Sequence, residues 1–162
     1  TYAQKVNKFG YLSSAELISL MPESSKADSA INKYAMELDA LAQQMYVEYQ
    51  KKTTDAQAKA KTMTEAQLDV LGRELADLEK RISDFQQSAQ DKIDAKREKL
   101  YEPILQKAND GIKAVAKANG YTYIFDSSAG MLLFADESDD VMPLVKSHLK
   151  LPNPKPAANA PK

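Results

Sequence analysis

Residues 68–89, LDVLGRELADLEKRISDFQQSA, place Leu68, Leu71, Leu75, Leu78, Ile82, Phe85 and Ala89 at alternating spacings of three and four. That rhythm returns one apolar residue to the same helix face twice per heptad, so it reads as a coiled-coil seam three heptads long. The seam lies inside a longer helical frame. The 80 residues from Glu23 to Glu102 contain no proline and a single glycine, Gly72, and are bracketed by Pro22 and Pro103. Proline deletes an amide donor and clashes with the preceding turn, so its absence lets a long helix persist. Gly72 reads either as a soft point in the helix or as a tolerated defect.

A second apolar series precedes the seam. Ile31, Leu38 and Met45 recur every seven residues, with Tyr34 and Leu41 between them. Between the two series, Lys51 to Gln67 holds one large apolar residue, Met63, and two overlapping capping boxes, Thr62 with Glu65 and Thr64 with Gln67. A cap inside a helical run marks a new helix start. The economical geometry is an antiparallel helical hairpin, residues 22–103, with its tip near 61–64. If the tip lies near Thr62, partners have numbers that sum to about twice that value. Ile31 then meets Ile93, Leu38 meets Phe85, Met45 meets Leu78 and Tyr49 meets Leu75. Pro22 and Pro103 fall opposite each other, which predicts a bend at the same level on both sides. At 1.5 Å per residue the arm spans about 60 Å. After Ala89 the apolar positions move to Ile93, Leu100 and Ile104, a four-residue stutter that locally unwinds a supercoil.

A two-helix seam buries little, so the arm needs a base. Residues 1–21 and 104–150 supply one. Gln4 to Leu12 reads as a strand, Ser13 with Glu16 as a capping box, and Ser14 to Met21 as a short helix stopped by Pro22. Beyond Pro103, Ile104, Ala108, Ile112 and Val115 keep helical spacing and Gly120 stands at the C′ position. Tyr121 to Asp126 and Met131 to Ala135 read as two strands of a β-hairpin across Ser127–Gly130. Val141, Leu144, Val145 and Leu149 mark a last short helix, and the tail 151–162, with four prolines in twelve residues, is expected to be disordered. The expected fold class is α+β, mostly helical, with a small β-barrel-like body and a long antiparallel hairpin arm. Three strands make a marginal sheet with open edges, so oligomerisation through the body is expected.

Composition excludes several function classes. The formal charge is −1 and there is no cysteine or tryptophan. A nucleic-acid binder would carry a basic excess, so no nucleic-acid partner is expected. Thiolate metal sites and disulfides are excluded. No apolar stretch is long enough to span a bilayer as a helix. The chain begins at Thr1 rather than Met, for which a removed secretory signal or artificial trimming would each account. His148 stands alone, so a metal site is not expected there. The acidic run Asp136, Glu137, Asp139 and Asp140 lacks the glycine and terminal glutamate of a calcium loop and reads as a helix start. Asp126 has no base or nucleophile near it in sequence and reads as a turn or cap residue. Ser127 and Ser128 have no nucleophile-elbow context, and no glycine loop could cradle a phosphate. No enzyme activity and no cofactor are expected.

The layout resembles the Skp/OmpH family of periplasmic chaperones. Lys8-Phe9-Gly10-Tyr11-Leu12-Ser13-Ser14 leading to Met21-Pro22-Glu23, Glu48-Tyr49-Gln50 with Lys52, and Glu102-Pro103-Ile104 running to Val115-Ala116 carry the likeness. The most specific stretch is Asn119-Gly120-Tyr121-Thr122-Tyr123-Ile124-Phe125-Asp126. The resemblance implies a homotrimer whose body is a β-barrel built from three chains, with three hairpin arms enclosing a cavity. It implies an ATP-independent holdase that keeps unfolded outer-membrane β-barrel proteins from aggregating in the periplasm. The best-known relatives are strongly basic, whereas the arm here is slightly acidic. A lipopolysaccharide site is therefore not carried over, and only weak membrane-surface contact is expected.

Two groups of residues are singled out for function. Met36, Tyr46, Val47, Met63 and Val70 lie off the arm's seam, where flexible thioether and amphipathic ring side chains suit promiscuous client contact. Scattered exposed apolar residues are also ordinary on any surface. Tyr34 and Tyr49 lie on the seam and read as packing. In the body, Phe9, Tyr11, Leu12, Tyr121, Tyr123, Phe125, Met131 and Leu133 are the expected trimerisation residues. The competing reading of the whole chain is a structural coiled-coil spacer or adaptor of the cell envelope.

Overall fold

A computed structural model describes residues 7–152 of the chain. In chain order the elements are β1 (Phe9–Leu12), α1 (Ser14–Leu20), α2 (Pro22–Lys59), α3 (Glu65–Ala118), β2 (Tyr123–Asp126), a 3-10 turn (Glu137–Asp139) and α4 (Met142–Leu149). The molecule is mostly helical, with long helices and a small sheet. The described residues fall into two compact units, 7–28 with 99–152, and Ser29–Glu98. Helices α2 and α3 each contribute to both.

Helix ends follow from identifiable caps. Ser13 Oγ accepts the Glu16 amide at 3.2 Å at the start of α1. Helix α2 opens on Pro22, whose fixed φ suits the first helical position. Of the two overlapping boxes at the arm's turn, Thr64 with Gln67 starts α3. Gln67 N–H donates to Thr64 Oγ1 at 3.3 Å, and Thr64 N–H donates to Gln67 Oε1 at 2.9 Å. Thr62 instead closes α2, its hydroxyl donating to the Lys59 carbonyl at 2.9 Å. Helix α3 ends in a Schellman motif. Gly120 has φ +71, its N–H donates to Lys117, and the Tyr121 N–H donates to Ala116.

In the arm unit, Ile31 and Leu38 of α2 and Leu78 and Ile82 of α3 are buried. Met45, Tyr49, Leu71, Leu75, Phe85, Ala89 and Ile93 are half-buried. Leu41 and Leu68, counted in the apolar series, are 48% and 41% exposed. Lys52 reaches Glu74 at 3.6 Å, and Lys96 lies 5.5 Å from the Tyr34 ring, which fixes the two helices as antiparallel neighbours. Each fully buried aliphatic residue is worth about 1.5–3 kcal/mol, whereas the exposed ion pair adds at most about 1 kcal/mol. The seam therefore holds the hairpin, and its surface charges contribute little.

The other unit has one core, in which Leu17, Met21, Val141 and Val145 are completely enclosed. Leu12, Ala27, Ile104, Ala108, Val115 and Met142 complete it. Two glycines are there for space. A Cβ on Gly10 would lie 2.7 Å from a Val141 methyl, and one on Gly111 would lie 2.8 Å from Leu149. Gly111 thus lets α4 lay Leu149 directly on the α3 backbone.

Two expectations are corrected. The strand expected over Met131–Ala135 is not formed, and the sheet has two strands rather than three. Strand β1 pairs with β2 in parallel, Phe9 opposite Tyr123 and Leu12 opposite Asp126, and its other edge meets Asp140 through a single bridge. The sheet alone therefore makes no closed barrel within one chain. The reason lies in the pattern of Met131-Leu132-Leu133-Phe134, which is apolar on both alternating faces. Such a strand needs cover on two sides, and a two-stranded sheet offers neither. Pro103 lies inside α3, which continues through it to Ala118, as the helical spacing beyond Pro103 led one to expect. The start of β1 is read at Phe9, and the expected strand residues Gln4 to Val6 lie outside the described residues, as does the tail from 153 onward.

Candidate functional site

Two uncovered apolar surfaces stand out, one in each unit. The first is the outer face of the sheet. Strand alternation sends Gly10 and Leu12 inward, which leaves Phe9 and the half-buried Tyr11 on the other face. Phe9, Tyr123 and Phe125 stack on one another with ring centroids 5.8, 6.2 and 6.3 Å apart, yet remain 47%, 57% and 47% exposed. Beside them runs the segment after β2, with Met131 84%, Leu133 97% and Phe134 85% exposed. Between sheet and segment lies a groove of about 280 Å³ lined by Phe9, Tyr11, Phe125, Leu132 and Phe134, and by the carboxylates Asp136 and Asp139. The Tyr11 phenol is pushed above its ordinary value, first by desolvation and then by Asp140, Glu137, Asp136 and Asp139.

Of the eight expected assembly residues, Phe9, Tyr123, Phe125, Met131 and Leu133 lie on this exposed surface. Tyr11 is at its edge. Leu12 belongs to the chain's own core, and Tyr121 is half-buried against that core, with the Lys8 ammonium 4.1 Å from its ring. Phe134 escaped the sequence reading. In a strand Phe134 would face away from Met131 and Leu133, but no strand forms there.

The polar groups beside this surface are structural. Asp126, at the end of β2, accepts the Ser14 N–H at 3.0 Å and the Ser128 N–H at 2.9 Å, and also binds the Ser14 hydroxyl. These bonds to the Ser14 hydroxyl and amide, then to Ser128, hold its carboxyl well below the ordinary carboxylate range. It thereby satisfies a free amide at the start of α1 from a distant strand. Asp136 caps the 3-10 turn through the Ser138 N–H at 2.9 Å, and Asp140 accepts the Met142 N–H at 2.8 Å at the start of α4. The acidic run is thus a pair of caps. Among the described residues no three His, Cys, Asp or Glu side chains converge on one point. His148 is exposed in the last turn of α4.

The second surface is on the arm. Met36, Val47 and Val70 are 73%, 62% and 55% exposed and Tyr46 is 49% exposed, with its ring 6.4 Å from that of Tyr49. Met63 is half-buried in the connection between α2 and α3. A shallow groove of about 250 Å³ runs between the helices where Ala35, Ala42 and Ala89 leave space beside Leu38, Phe85 and Tyr46. These surfaces offer mainly apolar contact. Among the described residues no helix is long and apolar enough to cross a membrane.

Comparison with known proteins agrees with this architecture. No curated protein sequence matches the chain significantly. Among solved structures, the chain is similar to an OmpH-like protein from Caulobacter crescentus CB15, a candidate outer membrane chaperone. The TM-score is 0.76 at 17% identity, over 92% of this chain and 87% of that one, a likeness of fold. The family described as outer membrane protein (OmpH-like) matches residues 8–149, nearly everything described. The stacked aromatic strands, the long helical hairpin and that match together show that the chain belongs to the OmpH-like outer membrane protein family.

Proposed function

We propose that the chain is an ATP-independent holdase chaperone of the periplasm that acts as a homotrimer. The body, 1–21 and 104–150, assembles three copies through its uncovered aromatic face. The arms, 22–103, enclose a cavity in which an unfolded outer-membrane β-barrel protein is held by many weak apolar contacts. The observation that carries this reading is the row of large apolar side chains left exposed on the arm, with Met36 and Val47 foremost. A spacer needs its seam buried and gains nothing from exposed methionine and valine off that seam. Weak contacts repeated on three arms gain avidity through high local concentration, without a binding motif.

Assembly has its own physical support. An exposed aromatic stack lies beside exposed Met131, Leu133 and Phe134, and contiguous apolar exposure of this kind marks interaction surfaces. A neighbouring copy would supply the second cover that the 131–135 segment lacks, so that segment is proposed to become a strand on assembly.

The test is suppression of aggregation of an unfolded outer-membrane β-barrel protein diluted from denaturant. The reading expects full suppression at roughly one trimer per client. It also expects weaker suppression when Met36 and Val47 are both replaced by Ser. Unaltered client aggregation in the presence of the native protein would refute holding and favour the spacer.

A further inference from the structure

We infer that Met36 is a redox-sensitive modification site at which a peroxide-class oxidant lowers the arm's hold on apolar chains. The functional half of this inference rests on the holding role proposed above. The site itself rests on the sorting of the six methionines. Met21 and Met142 are buried at 1% and 7% exposure, while Met45 and Met63 are half-buried. Met36 is 73% exposed in the middle of α2. The chain has no cysteine, so thioethers are its only oxidisable sulfur.

The chemistry is self-contained. The thioether sulfur of Met36 attacks the peroxide, takes one oxygen atom and becomes a sulfoxide. The O–O bond breaks, and the departing oxygen leaves as water. The product is polar and hydrogen-bonding where the thioether was apolar, and a methionine sulfoxide reductase reverses it.

Position makes the change matter. Val47 lies eleven residues beyond Met36, three helical turns, so the two stand on one stripe of α2. Both are exposed. Oxidation at Met36 therefore removes one of the two large apolar groups on that stripe. Met131 is more open still, at 84% against 73%, but it lies on the body face proposed to be covered on assembly.

The experiment treats the full chain with hydrogen peroxide and maps each methionine by peptide mass over time. Met36 is expected to gain oxygen well before Met21 and Met142. Each protein is then compared with itself, before and after treatment, for suppression of β-barrel client aggregation. The native chain is expected to need about threefold more protein for the same suppression after oxidation. Met36→Leu, whatever its own starting level, is expected to show no change on treatment, and the reductase is expected to restore the native chain. Oxidation of Met36 no faster than that of Met21 and Met142 overturns the site. Equal losses in the native chain and in Met36→Leu overturn its effect. If the untreated native chain holds no client, the holding role and the effect fall together, while the oxidation map still decides the site.

Discussion

Two glycines with opposite roles define what single residues do here. Gly10 sits under Val141 and Tyr121, so a Cβ there would meet atoms at 2.7 and 2.9 Å. Gly10→Ala should destabilise the body by about 1–3 kcal/mol, the usual cost of overpacking, measured by denaturant unfolding. Gly72 meets nothing within 4 Å, so Gly72→Ala should stabilise the arm by about 1 kcal/mol through helix propensity alone. If Gly72 is a soft point that lets the arm adapt, the same change narrows the range of client sizes held. Asp126 ties the end of β2 to the start of α1. Its carboxyl titrates below the ordinary 3.8 in the folded chain, so its stabilisation is present above that pH and is lost as pH falls below it. Asp126→Asn should cost about 1 kcal/mol at neutral pH, as loss of a cap does, and should flatten the acid limb of the stability profile. An unchanged acid limb would show that the cap is not coupled to folding.

At the scale of elements, the sequence made the hairpin readable because its seam is strict. The seven apolar positions from Leu68 to Ala89 and the pairing of Leu38 with Phe85 need only helical periodicity, which is local. Both residues line the same inter-helix groove. The cap at Thr64 and the Gly120 terminus were equally legible, since each is a short-range hydrogen-bond pattern. The sheet was not. Parallel pairing of β1 with β2 joins residues more than a hundred positions apart, and nothing local in Phe9–Leu12 names that partner. The segment 131–135 was misread for a related reason. Its β propensity is real, but a strand forms only when something covers both faces. For the candidate surfaces, off-seam position found Met36, Val47 and Val70. It could not find Phe134, whose exposure depends on the absence of a strand. The seam also makes a graded prediction. Leu78→Ala, at 3% exposure, should cost the arm about 2–5 kcal/mol, and Leu68→Ala, at 41% exposure, much less. Thermal unfolding of the two variants side by side reads the difference, and equal losses would mean that the seam is not what holds the hairpin.

For the whole molecule, the proposed assembly and client holding would together account for two uncovered apolar surfaces and for the lack, among the described residues, of a converging metal-type cluster. One surface is aromatic and stacked, which suits the proposed contact between copies. The other is sparse and rich in flexible side chains, which suits transient contact with many sequences. Near-zero net charge offers the proposed contacts little long-range electrostatic steering, so the proposed holding is expected to survive raised salt. The most direct measurement is the native mass of the protein after an unfolded outer-membrane β-barrel protein has been diluted into it. The expected species is three copies of this chain with one client. A single chain that carries no client would contradict the account.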